Sequence, residues 1–99
     1  MFGFNQNELM KKIHESAEES KAKLSQITVS GEAGGGLIII DLDGNRQLKS
    51  LTLNTNLEYI DKDDLEDLLS IALKRALKSA NEINELEMSK SASRFLPNF

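Results

Sequence analysis

The chain has 99 residues, a net charge of −4 at neutral pH, 39% apolar and 28% charged residues, and no cysteine. Collagen-like and disordered classes, disulfide frameworks, thiolate zinc sites and thiol nucleophiles are thereby excluded, and the charge argues against unspecific attraction of a polyanion over the whole surface. One domain of this size, folding alone, removes only about 60–65% of its unfolded surface from water, so oligomerisation would widen a thin stability margin.

The opening residues MFGFNQNELMKK lack an apolar leader, and no run approaches the roughly eighteen apolar residues needed to cross a bilayer. Cytoplasmic residence without membrane contact is the expectation. From Asn7 to about Leu24, Leu9, Ile13, Ala17 and Leu24 recur at helical spacing, with Met10 at the margin and Asn5 or Asn7 as N-cap. The other face mixes Glu8, Glu15, Glu18 and Glu19 with Lys11, Lys12, Lys21 and Lys23, which scatter around the cylinder and read as a solvated surface.

Three strands follow, at Gln26 to Ser30, Leu37 to Leu42 and Gln47 to Leu53. The first runs into Gly31, Gly34, Gly35 and Gly36, residues that take positive φ without steric cost and so suit a long hairpin loop or bulge. Leu37 to Ile40 then reads LIII, with apolar side chains pointing to both faces of the middle strand. The protomer's own helices cover one face, so the second apolar face calls for another cover, most simply an identical chain. Asp43-Gly44 between apolar runs signals a tight type I′ hairpin. In the third strand Leu51 and Leu53 share a face with Lys49, and Leu48 shares the other with Ser50 and Thr52, the pattern of a half-exposed edge.

After a polar connection from Asn54 to Ile60, Asp61 begins a long helix, with Asp64 completing a capping-box variant and Asp63 favouring the positive end of the dipole. The periodicity persists to about Met88 through Leu65, Leu68, Leu69, Ala72, Leu73, Ala76, Ala80, Ile83 and Leu86, with Leu77 widening the stripe. About 27 residues span about 40 Å, longer than the sheet, so the distal end overhangs with Ile83 and Leu86 in need of cover. Residues 89–99, SKSASRFLPNF, lose the period and read as a mobile tail after a single domain at residues 1–88.

Little here points to catalysis. His14, the one histidine, sits at the rim of a polar face with no orienting partner, serine elbow or thiol nearby in the pattern. Asp41-Leu42-Asp43-Gly44-Asn45 carries its glycine too early for a calcium loop, and Gly31 to Gly36 open into a strand where a phosphate-cradling loop needs Lys-Ser/Thr and a helix. No enzyme, metal, cofactor or small-molecule substrate is expected. The best basic patch is Lys74, Arg75 and Lys78, opposite the apolar stripe. Its bland account is a solvated face partly neutralised by Asp67, Glu82 and Glu85, with Lys78 and Glu82 four residues apart.

In Met1-Phe2-Gly3, in Val29-Ser30-Gly31-Glu32-Ala33-Gly34-Gly35-Gly36-Leu37-Ile38, in Gly44, in Leu65-Glu66-Asp67-Leu68 with Ala72 and Ala76, and in the closing Leu-Pro-Asn-Phe, the chain resembles the YbaB/EbfC family of small bacterial nucleoid-associated proteins. The resemblance covers essentially the whole length. It implies an α+β fold, an α-β-β-β-α protomer with a three-stranded antiparallel sheet, and an intertwined homodimer with projecting helices. It also implies binding of double-stranded DNA in the nucleoid with little sequence preference. Under it, Lys74, Arg75 and Lys78, with Lys11 and Lys12, are the candidate nucleic-acid contacts, made to phosphates, and Leu37, Ile39, Leu77, Ile83 and Leu86 the candidate dimer contacts. The competing reading is a small acidic dimeric interaction module, a chaperone or adaptor that takes a partner's segment on the sheet edge or between the helices.

Overall fold

Residues 6–94 are described by the computed structural model, which has the expected helix, three antiparallel strands and helix. Helix α1 (Gln6–Ser25) leads into β1 (Thr28–Ala33), β2 (Ile38–Asp43) and β3 (Leu48–Leu53). A 3-10 turn (Leu57–Tyr59), capped by the Asn56 side chain, then precedes helix α2 (Lys62–Ser93). Met1-Phe2-Gly3, the alternative Asn5 cap and residues 95–99 of the expected tail lie outside the described residues.

β2 runs between β1 and β3, antiparallel to both. β1 reaches beyond the expected Ser30 and takes in Gly31, Glu32 and Ala33, so the loop proper begins at Gly34, where Gly34, Gly35 and Gly36 all have positive φ. Gly31 serves another purpose. A Cβ there would overlap the Ala72 carbonyl oxygen and the Ala76 amide nitrogen of α2. The helix backbone therefore lies directly on β1, and Ala72, Ala76 and Ala80 are fully buried against Ala33, Ile38, Ile40 and Leu42. Removing each of these isoleucines and this leucine from water contributes about 1.5–3 kcal/mol.

Paired residues share a face, so Val29, Gly31 and Ala33 of β1, Leu42, Ile40 and Ile38 of β2, and Leu48, Leu51 and Leu53 of β3 all point to the helix side. The opposite face holds Thr28, Ser30 and Glu32, then Ile39 and Asp41, then Ser50 and Thr52. It is a polar surface. Asp41 accepts from Ser30 and from Ser50, the latter at 3.0 Å, and Lys49 donates to Thr28 at 2.6 Å. The expected second apolar face is thus corrected. Leu37 lies in the turn and packs on the core, which leaves Ile39 as the single aliphatic residue among these polar ones.

Two local features depart from the sequence reading. Asp41 pairs with Ser50 and Leu42 with Leu48, so Lys49 is an extra residue in β3 and the bulge turns Leu48 to the same side as Leu51 and Leu53. The β2–β3 connection is a three-residue loop, not a type I′ pair. Arg46, at φ 66, takes the left-handed position, the Arg46 amide donates to Asp43 O at 3.0 Å, and the Asp43 carboxylate accepts the amides of Asn45 and Gln47. Gly44 is needed there for close approach, since a Cβ would meet Leu24 Cδ2 at 2.7 Å, and its amide donates to Leu24 O at 2.9 Å. Asn84 donates to Gly44 O at 3.0 Å, so α1, α2 and the sheet meet at this turn.

Beyond the turn α2 continues away from the sheet with α1 antiparallel beside it, Ser20 opposite Glu87 and Ser16 opposite Ser91. The helix starts after Asp61, whose side chain makes no cap hydrogen bond, so the capping box is not formed. It runs past Met88 to Ser93, and residues 89–93 belong to the helix and not to a tail. The result is a rod of 69 × 20 × 18 Å with a radius of gyration of 19.1 Å, against about 13 Å for a compact chain of about this length.

Two glycine substitutions separate crowding from backbone strain. Gly31→Ala must lift α2 from β1 and is expected to cost about 3 kcal/mol, whereas Gly35→Ala has open space around it and meets only the left-handed penalty of about 1–2 kcal/mol. Urea unfolding of the two variants beside the parent measures the difference.

Candidate nucleic-acid interface

The outward face of α2 is set by what its inward face must be. With Ala72, Ala76 and Ala80 against the sheet, a rotation of 100° per residue sends Lys74 and Lys78 to the far side of the cylinder and Arg75 over the β1 edge. All three are exposed. Arg75 Nη1 donates to Glu32 O at 2.7 Å, which holds the guanidinium beside the helix. Asp67, Glu82 and Glu85 share the outer face, but Lys74, Arg75 and Lys78 enter no ion pair among the described residues, and the Lys78–Glu82 pair allowed by spacing is not formed. These cations are presented to solvent with their charge uncompensated by direct contact.

Lys11 and Lys12 lie elsewhere. They sit on α1 beyond Ser16, which is level with Ser91, so at 1.5 Å per residue they are about 30 Å along the rod from Lys74. The structure therefore holds the sequence-predicted cations in two groups, one over the sheet and one at the far end of the two-helix arm. His14 is exposed on the same helix, 4.0 Å from Glu18. Among the described residues no cluster of three or more His, Cys, Asp or Glu is arranged to hold a metal ion, and no helix is long and apolar enough to cross a membrane.

The acidic charge is just as unevenly placed. Residues 57–67 carry Glu58, Asp61, Asp63, Asp64, Glu66 and Asp67 against Lys62, a net of −5, so with the chain at −4 the remaining residues sum to +1. This excess surrounds the N-terminus of α2, the end away from the arm, around a shallow cleft of about 360 Å³ lined by Leu37, Tyr59, Ile60 and Leu68 with Asp64 and Asp67. Carboxylates there also suit the positive end of the helix dipole.

A second surface is apolar. α2 lies over β1 and β2, and the substantial contacts of β3 are with β2 alone, so among the described residues the β3 half of the helix-side face has little cover. Leu48, Leu51 and Leu53 are 64%, 50% and 38% exposed. Leu48 and Leu51, with Ile40, Leu42, Leu69, Leu73 and Leu77, line an open groove of about 530 Å³ along α2, and Arg46 and Ser70 complete its lining. Of the predicted dimer contacts only Leu77 lies in this groove. Ile83 and Leu86 are on the arm, half-buried and exposed, Leu37 packs on the core, and Ile39 is on the polar face. The sequence reading put Leu48 on the face opposite Leu51 and Leu53, and the bulge at Lys49 that turns it to their side leaves no mark in the residue pattern.

Comparison with known proteins places this geometry in context. The model of the YbaB/EbfC DNA-binding family matches residues 1–95. Nucleoid-associated protein TTE0040 of Caldanaerobacter subterraneus subsp. tengcongensis is 39% identical over 99 residues, covering 94% of this chain and 87% of that protein. A nucleoid-associated protein of Hahella chejuensis is 36% identical over 88 residues, covering 86% and 82%. Among solved structures, the uncharacterized protein HP0035 of Helicobacter pylori has a similar fold at a TM-score of 0.77 and 20% identity, covering 93% of this chain and 98% of that one.

Because Lys74 and Lys78 are exposed and unpaired, Lys74→Glu with Lys78→Glu is expected to change unfolding free energy by no more than about 1 kcal/mol. Thermal or urea unfolding checks this, and a larger loss would mean that the two side chains hold the fold.

Proposed function

Since the chain belongs to the YbaB/EbfC DNA-binding family, we propose that it is a homodimeric nucleoid protein that binds double-stranded DNA through phosphates with little sequence preference. The observation that carries this reading is the unpaired, outward cation face of Lys74, Arg75 and Lys78 on a helix whose carboxylate excess is confined to the opposite end. A net charge of −4 then ceases to be an obstacle, because a duplex approaching the arm and the middle of α2 meets a region of slightly positive sum. Lys11 and Lys12 extend the same contact. Their separation of about 30 Å from Lys74 is close to one turn of B-DNA, about 34 Å.

A second copy answers the uncovered groove. Leu48, Leu51, Leu69, Leu73 and Leu77 present an apolar patch that a soluble monomer seldom leaves open, and a twofold partner offers the same patch in return. Dimerisation also doubles the cations available to one duplex. Side chains of lysine and arginine on a regular helix face position DNA through its backbone and carry little base information, which accounts for weak sequence preference. The expected location is the nucleoid of the bacterial cytoplasm, in keeping with the names of the relatives.

Neutralising about four to six phosphates per dimer predicts a slope of roughly −4 to −5 for the logarithm of affinity against the logarithm of salt. A gel shift of random-sequence duplex across a salt series measures it. Lys74→Glu with Lys78→Glu is expected to abolish the shift while leaving sedimentation unchanged, and a slope near zero, or no shift at low salt, contradicts the proposal.

A further inference from the structure

The arm is joined by polar side chains where an antiparallel helix pair is ordinarily joined by apolar ones. In α1 the buried residues are Ser16, Ser20 and Leu24, and Leu24 belongs to the junction with Gly44. Among the described residues, the buried side chains along the outer length of α1 are therefore two serines. Ser20 is fully buried and donates to Glu87 Oε2 at 2.7 Å, and the Glu87 side chain is itself only 11% exposed. Arg94 closes the group. Its Nη2 lies 4.0 Å from Glu87 Oε2, and its Nη1 donates to Ser16 Oγ at 3.1 Å and lies 3.8 Å from Glu19 Oε2. The Ser16 and Ser91 hydroxyls share a further hydrogen bond of 2.8 Å.

A carboxylate only 11% exposed relies on its hydrogen-bond and ion partners in place of water, so the loss of either Ser20 or Arg94 favours an arrangement in which Glu87 regains water. Opening the arm supplies that arrangement. The sheet and its aliphatic core need not change, because α1 is anchored there separately through Leu24 O, which accepts from the Gly44 and Ile27 amides. Leu9, Met10 and Ile13, farther out on α1, are 38%, 59% and 42% exposed.

We propose that Ser20, Glu87 and Arg94 form a latch that fastens α1 along α2 and thereby positions Lys11 and Lys12. The fastening is a property of the chain itself, and only its consequence for DNA rests on the proposed function. Glu87 touches no phosphate in this scheme and acts through the helix it holds.

Hydrogen exchange on the full chain tests the latch first. Glu87→Gln, Ser20→Ala and Arg94→Gln are each expected to speed exchange of the α1 amides at residues 12–20 at least tenfold, with β2 amides unchanged, and Glu87→Gln combined with Arg94→Gln is expected to do less than the product of the two. Unchanged α1 exchange, or acceleration of β2 by the same factor, overturns the latch. Gel shifts with a short duplex then test positioning, using two variants that add no negative charge. Glu87→Gln and Ser20→Ala are expected to weaken binding about threefold or more, and to have no effect once Lys11→Ala and Lys12→Ala are present. Glu87→Gln makes the protein less negative, so tighter binding by that variant overturns positioning. Should the parent chain fail to shift DNA at all, the proposed function falls and the exchange result alone decides the latch.

Discussion

The architecture depends on how closely the backbone of α2 approaches β1. That contact requires a residue without a side chain at Gly31 and a stripe of alanines at positions 72, 76 and 80, and together they press the helix onto one side of the sheet. A helix so placed covers β1 and β2 and leaves β3 bare. The exposed leucines of β3 and the flank of α2 beside them then form one continuous groove, and the face of α2 that carries Lys74 and Lys78 is turned outward by the same rotation. The open groove and the outward turn of Lys74 and Lys78 are two consequences of a single packing choice.

Much of this was legible in the residues. The order of helix, strands and helix follows from periodicity, from the glycine run and from the Asp-Gly turn, all of which are local signals. The excess of aliphatic side chains over what one protomer can bury was also visible, yet its location was misread. Leu37 to Ile40 suggested a sheet apolar on both sides, whereas Leu37 folds into the turn and Ile39 stands among Ser30, Glu32, Asp41, Ser50 and Thr52. The true excess lies under the uncovered half of the helix-side face. A one-residue bulge at Lys49 adds Leu48 to it, and strand parity inverts at such a point without any signature in composition. Helical spacing leads to the exposure of Lys74, Arg75 and Lys78, but the Lys78–Glu82 pair it allows is not formed, because spacing leaves the rotamers open.

Charge and shape tell a consistent story along the rod. The carboxylates gather at the N-terminus of α2, where the helix dipole favours them, and the far end is a pair of helices with mixed charge and a polar seam. The seam of the arm holds Ser16, Ser20, Glu87 and Arg94, and this sets it apart from the sheet, whose core is made by buried Ile38, Ile40 and Leu42.

The central claim is that a second copy of the chain covers the leucine groove left open beside β3. Sedimentation equilibrium at micromolar concentration tests it most directly. The account predicts a single species of twice the chain mass, reduced to the monomer mass when Leu73→Glu places a charge in the groove. A folded, monodisperse protein of one chain mass under those conditions would contradict it.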